Sequence, residues 1–488
     1  MKVVLVEVTP EKDVLTMELV PPLGLGYIAS SLEAKGYEVS IVSGVKYNNS
    51  IDEAYKLIIE EKPDVVGYTA TSSARFRAID LVKRVKKVTD TLTIVGGPHF
   101  HPTASEALNS VKEIDVVVKG EGEETVPELV GRYSIGKDFK DISGISFKNY
   151  DMVIENPDRP FNKDIDQYLM PAYHLFDFKK YRCTLEGTNL PAIGVLSSRG
   201  CPNKCNFCAN TALRKASLRL RNPKKFVDEI EFLKKEYDYT AFDFWDDTMT
   251  MVKSHITGIC NEILNRNLNI KWFARARVNT VNREILKLMK DAGCVAIAYG
   301  IESGSEKILK SIKKGINTKQ AREAVKASSE LGFIISNYFI VSMPDETLSD
   351  IDMTFDMIEE FERYPNVNNY HCFAMIYPGT ELERIAKDRN LLPKFSWYSP
   401  YYALKNKLIG NDPIVPCFEQ KELSIEDIKI HILRRRSWLY KIKRGISKIR
   451  RIRSLKELRE LIGFSLRYLL PYLKLSRSIL LQKQSHKI

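Results

Sequence analysis

Short runs of β-branched and other apolar residues alternate with amphipathic stretches over the first 130 residues of the chain. Five of these runs have the length and composition of strands, and they cover residues 3–8, 38–42, 64–69, 92–96 and 115–118. The stretches between them have helical periodicity. Regular alternation of strand and helix is typical of a parallel, doubly wound sheet. The pattern therefore predicts an α/β domain of Rossmann-like (flavodoxin-like) topology over residues 1–130.

The pattern changes over residues 131–190 and then returns. A hairpin is predicted from residues 144–147 and 152–154, and the Pro- and Tyr-rich passage that follows predicts a connector. Further on, residues 191–382 contain six strand-like runs separated by helical stretches, which predict six βα units. The six runs cover residues 193–197, 241–245, 271–276, 295–299, 333–341 and 371–376. Residues 383–488 are predicted to form a helical, basic C-terminal region.

Charge is concentrated at the C-terminal end. Residues 429–488 contain 18 Lys or Arg residues against two Glu, a net charge of +16, so the preceding 428 residues carry −4 of the total of +12. An anionic partner is therefore expected to bind this tail and not the rest of the chain. No apolar run reaches the roughly 20 residues that span a bilayer, so an integral membrane protein is not expected.

The basic tail has the pattern of an amphipathic helix. Apolar residues recur at helical spacing at Leu439, Ile442, Ile446, Ile449 and Ile452, and Lys and Arg residues lie between them. Such a helix can lie in an anionic membrane interface, or it can cap the preceding domain with its apolar face. Nucleic acid is not an expected partner, because the tail lacks a run of aromatic residues suited to base stacking.

Three of the eight cysteines form a CxxxCxxC run directly after the first of the six strands: Cys201, Cys205 and Cys208. A tetrahedral zinc site normally needs four protein ligands, often as two CxxC pairs, and the chain has no second pair. Three thiolates in one short loop instead suit an iron–sulfur cluster in which one iron lacks a protein ligand. Chance proximity or an incomplete zinc loop is the alternative. The remaining cysteines are dispersed and no signal peptide is evident, so a reducing cytosol is expected.

Polar motifs follow several of the other predicted barrel strands. Because loops at the carboxyl ends of parallel barrel strands converge over one mouth, these motifs are candidates for one site; they are Asp246, Asp247, Arg275, Arg277, Glu302, Ser303 and Pro378. The aspartate pair could equally cap a helix. The two arginines could bind a carboxylate through forked hydrogen bonds, or form salt bridges with Asp246, Asp247 or Glu302.

Loops rich in glycine and small polar residues follow the predicted strands of the N-terminal domain. Ligands of doubly wound sheets bind beyond the carboxyl ends of the strands, so these loops are candidate binding positions; they contain Leu23, Gly24, Thr69, Ser72, Ser73, Gly96, Gly97, Pro98, Gly120, Glu121 and Gly122.

Taken in order, these motifs resemble the radical SAM superfamily over about residues 1–382. The resemblance rests on three motifs, which are the CxxxCxxC loop after the first barrel strand, the string GIESG followed by SEKIL, and the string YPGT. The loops in PPLGLGYIASSL, GYTATSS, VGGPHFHPT and DVVVKGEGEET resemble the cobalamin-binding domain that precedes the partial (βα)6 barrel in one large class of that superfamily.

The resemblance implies three cofactors. Cys201, Cys205 and Cys208 would bind a 4Fe-4S cluster that cleaves S-adenosylmethionine (SAM) to a 5'-deoxyadenosyl radical, the candidates of the barrel strands would bind SAM, and those of the N-terminal loops would bind cobalamin. None of the seven histidines lies in a DxHxxG pattern, and His99 and His101 lie in a Pro-rich loop. This departure is compatible with cobalamin whose lower face has no histidine ligand.

The expected function is that of an enzyme that abstracts hydrogen from an unactivated carbon of a membrane lipid (isoprenoid, acyl or polycyclic), followed by methylation, cyclisation or C–C bond formation. Two alternatives stay open, a cobalamin-dependent radical SAM methyltransferase of a soluble natural product or tRNA, and a non-catalytic cobalamin or cluster sensor. The expected partners are a flavodoxin- or ferredoxin-type electron donor, a hydrophobic substrate and an anionic membrane surface that binds residues 429–488. The expected location is the cytoplasm, peripherally on the inner face of the membrane.

Overall fold

All five strands predicted for the N-terminal domain are present in the computed structural model, which describes residues 1–11, 20–150, 152–399 and 415–436. They are β1 (Lys2–Val8), β2 (Glu38–Val42), β3 (Val65–Ala70), β4 (Leu92–Gly96) and β5 (Val116–Val118). The strands are parallel in the order β2-β1-β3-β4-β5, which is the flavodoxin-like order. The predicted topology is confirmed.

Helices cover both faces of this sheet, which is why β1 and β3 are buried along nearly their whole length. The helices are α1 (Leu23–Glu33), α2 (Ile51–Glu60), α3 (Arg75–Lys86), α4 (Gly97–Phe100), α5 (Ala104–Ser110) and α6 (Gly122–Ser134). Helix α2 begins at Ser50, whose side chain accepts the backbone N–H of Glu53. One apolar core lies between the sheet and α3, and it contains Val4, Tyr68 and Val95.

The predicted hairpin belongs to the first sheet. Strands β6 (Ile145–Asn149) and β7 (Met152–Glu155) extend the sheet beyond β5, and both pairings are antiparallel. Phe147 lies opposite Val116, so the hairpin covers an apolar edge that would otherwise be open. The rest of the predicted connector contains three short 3-10 turns, Ile165–Gln167, Tyr173–Leu175 and Phe178–Lys180.

The predicted six βα units form a second, open parallel sheet. Its strands are β8 (Ala192–Val195), β11 (Ala241–Phe244), β12 (Lys271–Ala276), β13 (Cys294–Glu302), β14 (Ile334–Val341) and β15 (Val367–Phe373), in that order across the sheet. A separate two-stranded ribbon consists of β9 (Ser198–Arg199) and β10 (Arg219–Leu220). The expected partial barrel is confirmed. The last strand begins at Val367, earlier than predicted, because pairing with β14 includes the polar residues Asn368 and Asn369.

The helices of this second part are α7 (Ala209–Arg214), α8 (Pro223–Tyr237), α9 (Lys253–Asn265), α10 (Arg283–Asp291), α11 (Glu306–Ser311), α12 (Thr318–Glu330), α13 (Leu348–Phe361) and α14 (Glu381–Asp388). Asn317 and Thr347 form capping boxes at the starts of α12 and α13. Trp272 is buried in the core, where it stacks on Phe244 with ring centroids 4.8 Å apart.

After α14 the chain returns to the first sheet. Trp397 is 2% exposed, and its carbonyl oxygen accepts a hydrogen bond from Arg75 Nε at 2.7 Å. Its indole N–H donates to Glu383 at 2.8 Å, and its ring lies edge-on to His99. Residues 389–399 of the predicted helical C-terminal region are therefore a non-helical segment that joins the two sheets.

Residues 1–423 form one unit and residues 424–488 a second. Of the second unit the structure describes helix α15 (Ile425–Arg436), which begins with reciprocal hydrogen bonds between Ser424 and Asp427. The amphipathic helix predicted around 439–453 lies outside the described residues. Within the described part of the chain, every helix is too short or too polar to cross a bilayer.

Replacing Trp397 with alanine should destabilise the protein by about 3–5 kcal/mol, because a large buried side chain and its hydrogen bond to Glu383 are lost together. Urea unfolding followed by circular dichroism measures the change. Met152, which is 65% exposed, offers the control, since its replacement with alanine should change stability by less than about 0.5 kcal/mol. Equal stability of the two variants would contradict the joining role of Trp397.

Candidate active site

The three cysteines lie in a loop whose two ends are joined by the ribbon of β9 and β10, which we call the neck of the loop. The loop leaves the second sheet through β9 and returns through β10, and Arg199 lies opposite Arg219 in this antiparallel ribbon. Gly200 has φ +91°, and a Cβ there would overlap the carbonyl oxygen of Ser217. Glycine is therefore required for the neck to close.

Hydrogen bonds anchor the loop internally and to neighbouring segments. Cys208 immediately precedes helix α7, and its N–H donates to the carbonyl oxygen of Cys205 at 3.2 Å. The Asn203 side chain donates to Cys201 Sγ at 3.2 Å. Asn206 donates its N–H to Ile312 and accepts the N–H of Leu382, which follow β13 and β15 respectively. The three thiols are thus held at the carboxyl end of the second sheet.

A buried cation lies beside the thiols. Arg277 is 5% exposed, and its Nη1 lies 3.9 Å from Cys205 Sγ, while Nη2 donates to the carbonyl oxygen of Lys314. Among the described residues its Nε has no hydrogen-bond partner. The predicted carboxylate-binding residue is therefore directed at the cysteine loop and places a positive charge beside Cys205.

The donor set fits an iron–sulfur cluster. All three cysteines are free, and burial raises the pKa of Cys208 to about 11, so a bound metal must replace its proton. In the described ranges, no group of three or more His, Cys, Asp or Glu side chains is placed to hold a single metal ion. Separate thiolates can each bind a different iron of a multi-iron cluster.

The two adjacent aspartates have different environments. Asp246 is fully buried, and it accepts hydrogen bonds from the hydroxyls of Ser197 and Ser198 and from the N–H of Ser197. Burial raises the pKa of its carboxyl even though these hydrogen bonds oppose the shift. Asp247 is exposed and accepts a hydrogen bond from Asn210 of α7 at 2.5 Å. Both aspartates therefore hold the ends of the cysteine loop.

Arg275 is paired with a carboxylate that the sequence did not single out. Its Nη1 and Nη2 contact the two oxygens of Asp243 at 2.6 and 3.2 Å, and Nη1 also donates to the carbonyl oxygen of Phe244. Asp243 lies on β11, and the predicted aspartate pair follows the end of that strand, so the expected salt bridge exists with a different partner.

The GIESG string forms a strained, buried turn at the end of β13. Glu302 has φ +70°, an uncommon conformation for a residue with a side chain, and the register with β14 shifts between Gly300 and Glu302. Its carboxylate pairs with Lys314 at 2.7 Å, and both side chains are under 10% exposed. Ser303 is buried and shares a hydrogen bond with Thr354 at 3.1 Å. Backbone strain of this kind is often kept at functional sites.

Pro378 and its neighbours connect the cysteine loop to the N-terminal domain. The segment before it is held by antiparallel hydrogen bonds, from Ile376 to Pro416 and from Phe418 to Ala374. Pro378 is buried, and the next residue, Gly379, has φ +76°. A Cβ at Gly379 would lie 3.0 Å from both Ala212 of α7 and Pro102 of the first domain.

The candidate cobalamin positions share the carboxyl edge of the first sheet. Leu23 and Gly24 begin α1, Thr69 lies near the end of β3, and Ser72 and Ser73 form the following 3-10 turn. The others lie at the end of β4, at the start of α4, between β5 and α6, and at the start of α6; these are Gly96, Gly97, Pro98, Gly120, Glu121 and Gly122. Gly24, Pro98 and Gly120 are exposed, so backbone at this edge is open to a large ligand.

The two histidines near this edge are locally hydrogen-bonded. His99 is fully buried, and its Nδ1 lies 3.1 Å from Ser72 Oγ. Burial, with Arg75 nearby, lowers the pKa of His99 well below its usual range, so the ring is neutral. His101 Nδ1 accepts the N–H of Gly120 at 3.1 Å. The Nδ1 atoms of both histidines are thus engaged within the protein, which is compatible with cobalamin whose lower face has no histidine ligand.

Sequence reasoning missed several residues of the site. Only contacts in the folded chain identify three of them as part of the site: Lys314 contacts Glu302, Asp243 contacts Arg275 and Asn203 contacts Cys201. Glu346 also escaped notice: burial raises the pKa of its carboxyl to about 8, and its Oε2 accepts the N–H of Met343 at 3.0 Å. Its loop follows β14 at the same end of the barrel.

Comparison with protein families gives two matches. The model of the radical SAM superfamily matches residues 195–358, and that of the B12 binding domain matches residues 17–130. The two matched ranges correspond to the second and the first sheet.

Known proteins of similar sequence and fold agree with these matches. The chain is 35% identical over 380 residues to PH0819, an uncharacterized methyltransferase of Pyrococcus horikoshii, covering 77% of this chain and 81% of that protein. It is 29% identical to the anaerobic magnesium-protoporphyrin IX monomethyl ester cyclase of Rubrivivax gelatinosus, covering 78% and 68% respectively. The methyltransferase TsrM from Kitasatospora setae, solved with cobalamin and a 4Fe-4S cluster, has a similar fold (TM-score 0.67, 16% identity, 81% of this chain and 76% of that one).

Replacing Arg277 with methionine should lower the reduction potential of a bound cluster. A cation beside Cys205 stabilises the more negative, reduced state, so its loss should shift the midpoint by tens of millivolts, about 59 mV for each tenfold change in a one-electron equilibrium. Redox titration followed by electron paramagnetic resonance (EPR) measures the shift. The control variant Arg277→Lys keeps the charge and should shift the midpoint potential less. Equal midpoint potentials for Arg277→Met and the wild type would contradict the role of this charge in stabilising the reduced cluster.

Proposed function

Because the chain belongs to the radical SAM superfamily, in the class with an N-terminal B12-binding domain, we propose that this enzyme transfers a methyl group to an unactivated carbon of a hydrophobic substrate. Its cofactors are a 4Fe-4S cluster, SAM and cobalamin. Since the family consists of enzymes, the alternative of a non-catalytic sensor falls away.

One observation carries the choice of methyl transfer. Gly379 lies between Ala212, in the helix that begins after Cys208, and Pro102, in the N-terminal domain, so that a Cβ on it would be 3.0 Å from each. The loop proposed to hold the cluster therefore lies next to the domain proposed to hold cobalamin. Methyl transfer from one cofactor to a radical made with the other needs this proximity.

The residues have distinct proposed roles. When bound, the cluster and SAM supply a 5'-deoxyadenosyl radical and cobalamin supplies a methyl carrier. Cys201, Cys205 and Cys208 hold the cluster, and Arg277 adds positive charge beside it. The strained turn at Glu302, fixed by Lys314, presents backbone to SAM.

The remaining barrel candidates act on the loop more than on a ligand. Asp246 orients Ser197 and Ser198, and Asp247 holds Asn210. Arg275 and Ser303 are positioned by Asp243 and Thr354. These contacts support a role in shaping the barrel mouth, and contact with SAM stays a prediction for each of them and for Pro378.

The inner surface of the barrel supports a hydrophobic substrate. Tyr338 and Tyr370 lie side by side on β14 and β15, on the strand face opposite the buried Asn337 and Phe339. Their rings stack with centroids 5.4 Å apart, yet they are 42% and 46% exposed. Exposed aromatic surface in a concave site is suited to flat, apolar molecules, and the cyclase relative is named for a porphyrin substrate.

Methyl transfer predicts two products from SAM. Reconstituted enzyme with its substrate should form S-adenosylhomocysteine and 5'-deoxyadenosine, and methyl-labelled SAM should label the product, as mass spectrometry can measure. Cys205→Ala should reduce 5'-deoxyadenosine formation by more than about a hundredfold, whereas Cys183→Ala should not. Formation of 5'-deoxyadenosine without S-adenosylhomocysteine would contradict methyl transfer but would still support radical chemistry.

A membrane lipid is the more specific substrate we propose, with docking of residues 429–488 on the cytoplasmic face of the membrane. The net charge of +16 in this range supports it, since each Lys or Arg near an anionic surface contributes about 1 kcal/mol. The enzyme should sediment with anionic phosphatidylglycerol vesicles and not with neutral phosphatidylcholine vesicles. Deletion of residues 429–488 should abolish sedimentation; unchanged binding would contradict docking.

A further inference from the structure

Glu121 lies at the centre of an ionic cluster between the two parts of the protein. It occupies the N-cap position of helix α6, in the turn that follows β5 of the first sheet. Its carboxylate contacts three guanidinium groups: Arg219 at 2.6 and 2.8 Å, Arg214 at 3.1 Å and Arg199 at 3.3 Å. Both carboxylate oxygens are engaged.

The three arginines flank the cysteines on both sides. Arg199 and Arg219 face each other in the ribbon that closes the neck of the cysteine loop. Arg214 ends helix α7, which begins after Cys208. All three arginines therefore connect the same loop to one carboxylate.

The cluster is buried and well packed. Side-chain exposure is 8% for Arg199, 7% for Arg219 and 14% for Glu121. Arg199 also pairs with Glu123 at 2.7 Å and lies over the ring of Tyr27. Burial by itself would raise the pKa of Glu121, but Arg219 and its neighbours lower it overall, so the carboxylate is ionised. Removing the charge would leave the buried guanidinium group of Arg219 without its carboxylate partner, which is costly, whereas Arg199 would keep its pairing with Glu123.

We infer that Glu121 is a positioning residue that fixes the neck of the cysteine loop, and with it the cluster, against the N-terminal domain. This role replaces the predicted contact with cobalamin, because the arginines occupy both oxygens of Glu121. Gly120 and Gly122 beside it remain candidates for cobalamin. The inference rests on the proposed binding of the cluster by Cys201, Cys205 and Cys208.

The test compares the full-length wild type with Glu121→Gln, Glu121→Asp and Glu124→Gln, each reconstituted anaerobically with iron, sulfide and cobalamin. Glu124 lies in the same helix with a 42% exposed side chain, so it is a matched control. The readouts are iron per chain, the rate of iron removal by a chelator, the EPR spectrum of the reduced cluster, and bound cobalamin by absorbance.

Glu121→Gln should lose iron about tenfold faster or more, because charge-assisted hydrogen bonds at the neck are weakened. Its EPR spectrum should change while bound cobalamin stays equal to wild type. Glu121→Asp, which keeps the charge, should restore much of the wild-type behaviour, and Glu124→Gln should match the wild type. Arg214→Gln guards against misfolding of the first variant. Arg214 is 32% exposed and Glu121 keeps its contacts with Arg199 and Arg219, so this substitution leaves no buried charge unpaired and should shift iron loss in the same direction.

Two results would overturn the inference alone. One is a Glu121→Gln variant that keeps the wild-type cluster and loses cobalamin, which would restore the role predicted from sequence. The other is a variant equal to wild type in every readout. Failure of the wild type to assemble any cluster would instead refute the proposed function, and the inference with it.

Discussion

The structure depends on the closure of the cysteine loop at a neck of only two residue pairs, Arg199 with Arg219 and Ser198 with Leu220. A ribbon this short has little stability of its own. The loop must therefore be held from outside, and each neighbour contributes: Asn206 bonds to the segments after β13 and β15, and Glu121 binds three arginines of the loop. The geometry of the proposed cluster site is thus a property of both domains together.

Buried charges in this region are grouped with their partners. Arg277 lies beside Cys205, and Glu302 pairs with Lys314, whose carbonyl oxygen accepts a hydrogen bond from Arg277. Because desolvation offsets most of the attraction within a buried ion pair, such groups add little net stability. Their effect is on conformation, because each buried pair can form in only a few arrangements of the loops that contain its two residues. Precise placement of three thiols benefits from this restriction more than from added stability.

Sequence patterns predicted the parts of the molecule that depend on local order. The β-branched runs marked the parallel strands, and the spacing of Cys201, Cys205 and Cys208 marked the loop that we propose to hold the cluster. Contacts between distant residues left no such signal. Glu121 and Arg219 are hydrogen-bonded although they are 98 positions apart in the sequence. The glycine-rich context of Glu121 had instead suggested a contact with cobalamin. Strand β15 was placed too late in the chain because polar Asn368 and Asn369 are in the sheet only through their register with β14.

The contact at Gly379 has a consequence for the spacing of the two cofactor regions. Because this residue has no side chain, helix α7 and the loop at Pro102 approach each other through it, and a Cβ would lie 3.0 Å from each. A side chain at this position would require a neighbour to move by a few tenths of an ångström, and it would have to adopt the left-handed backbone conformation that favours glycine. The spacing between the loop proposed to hold the cluster and the domain proposed to hold cobalamin is therefore limited in part by a single glycine that is outside the set of proposed cofactor ligands.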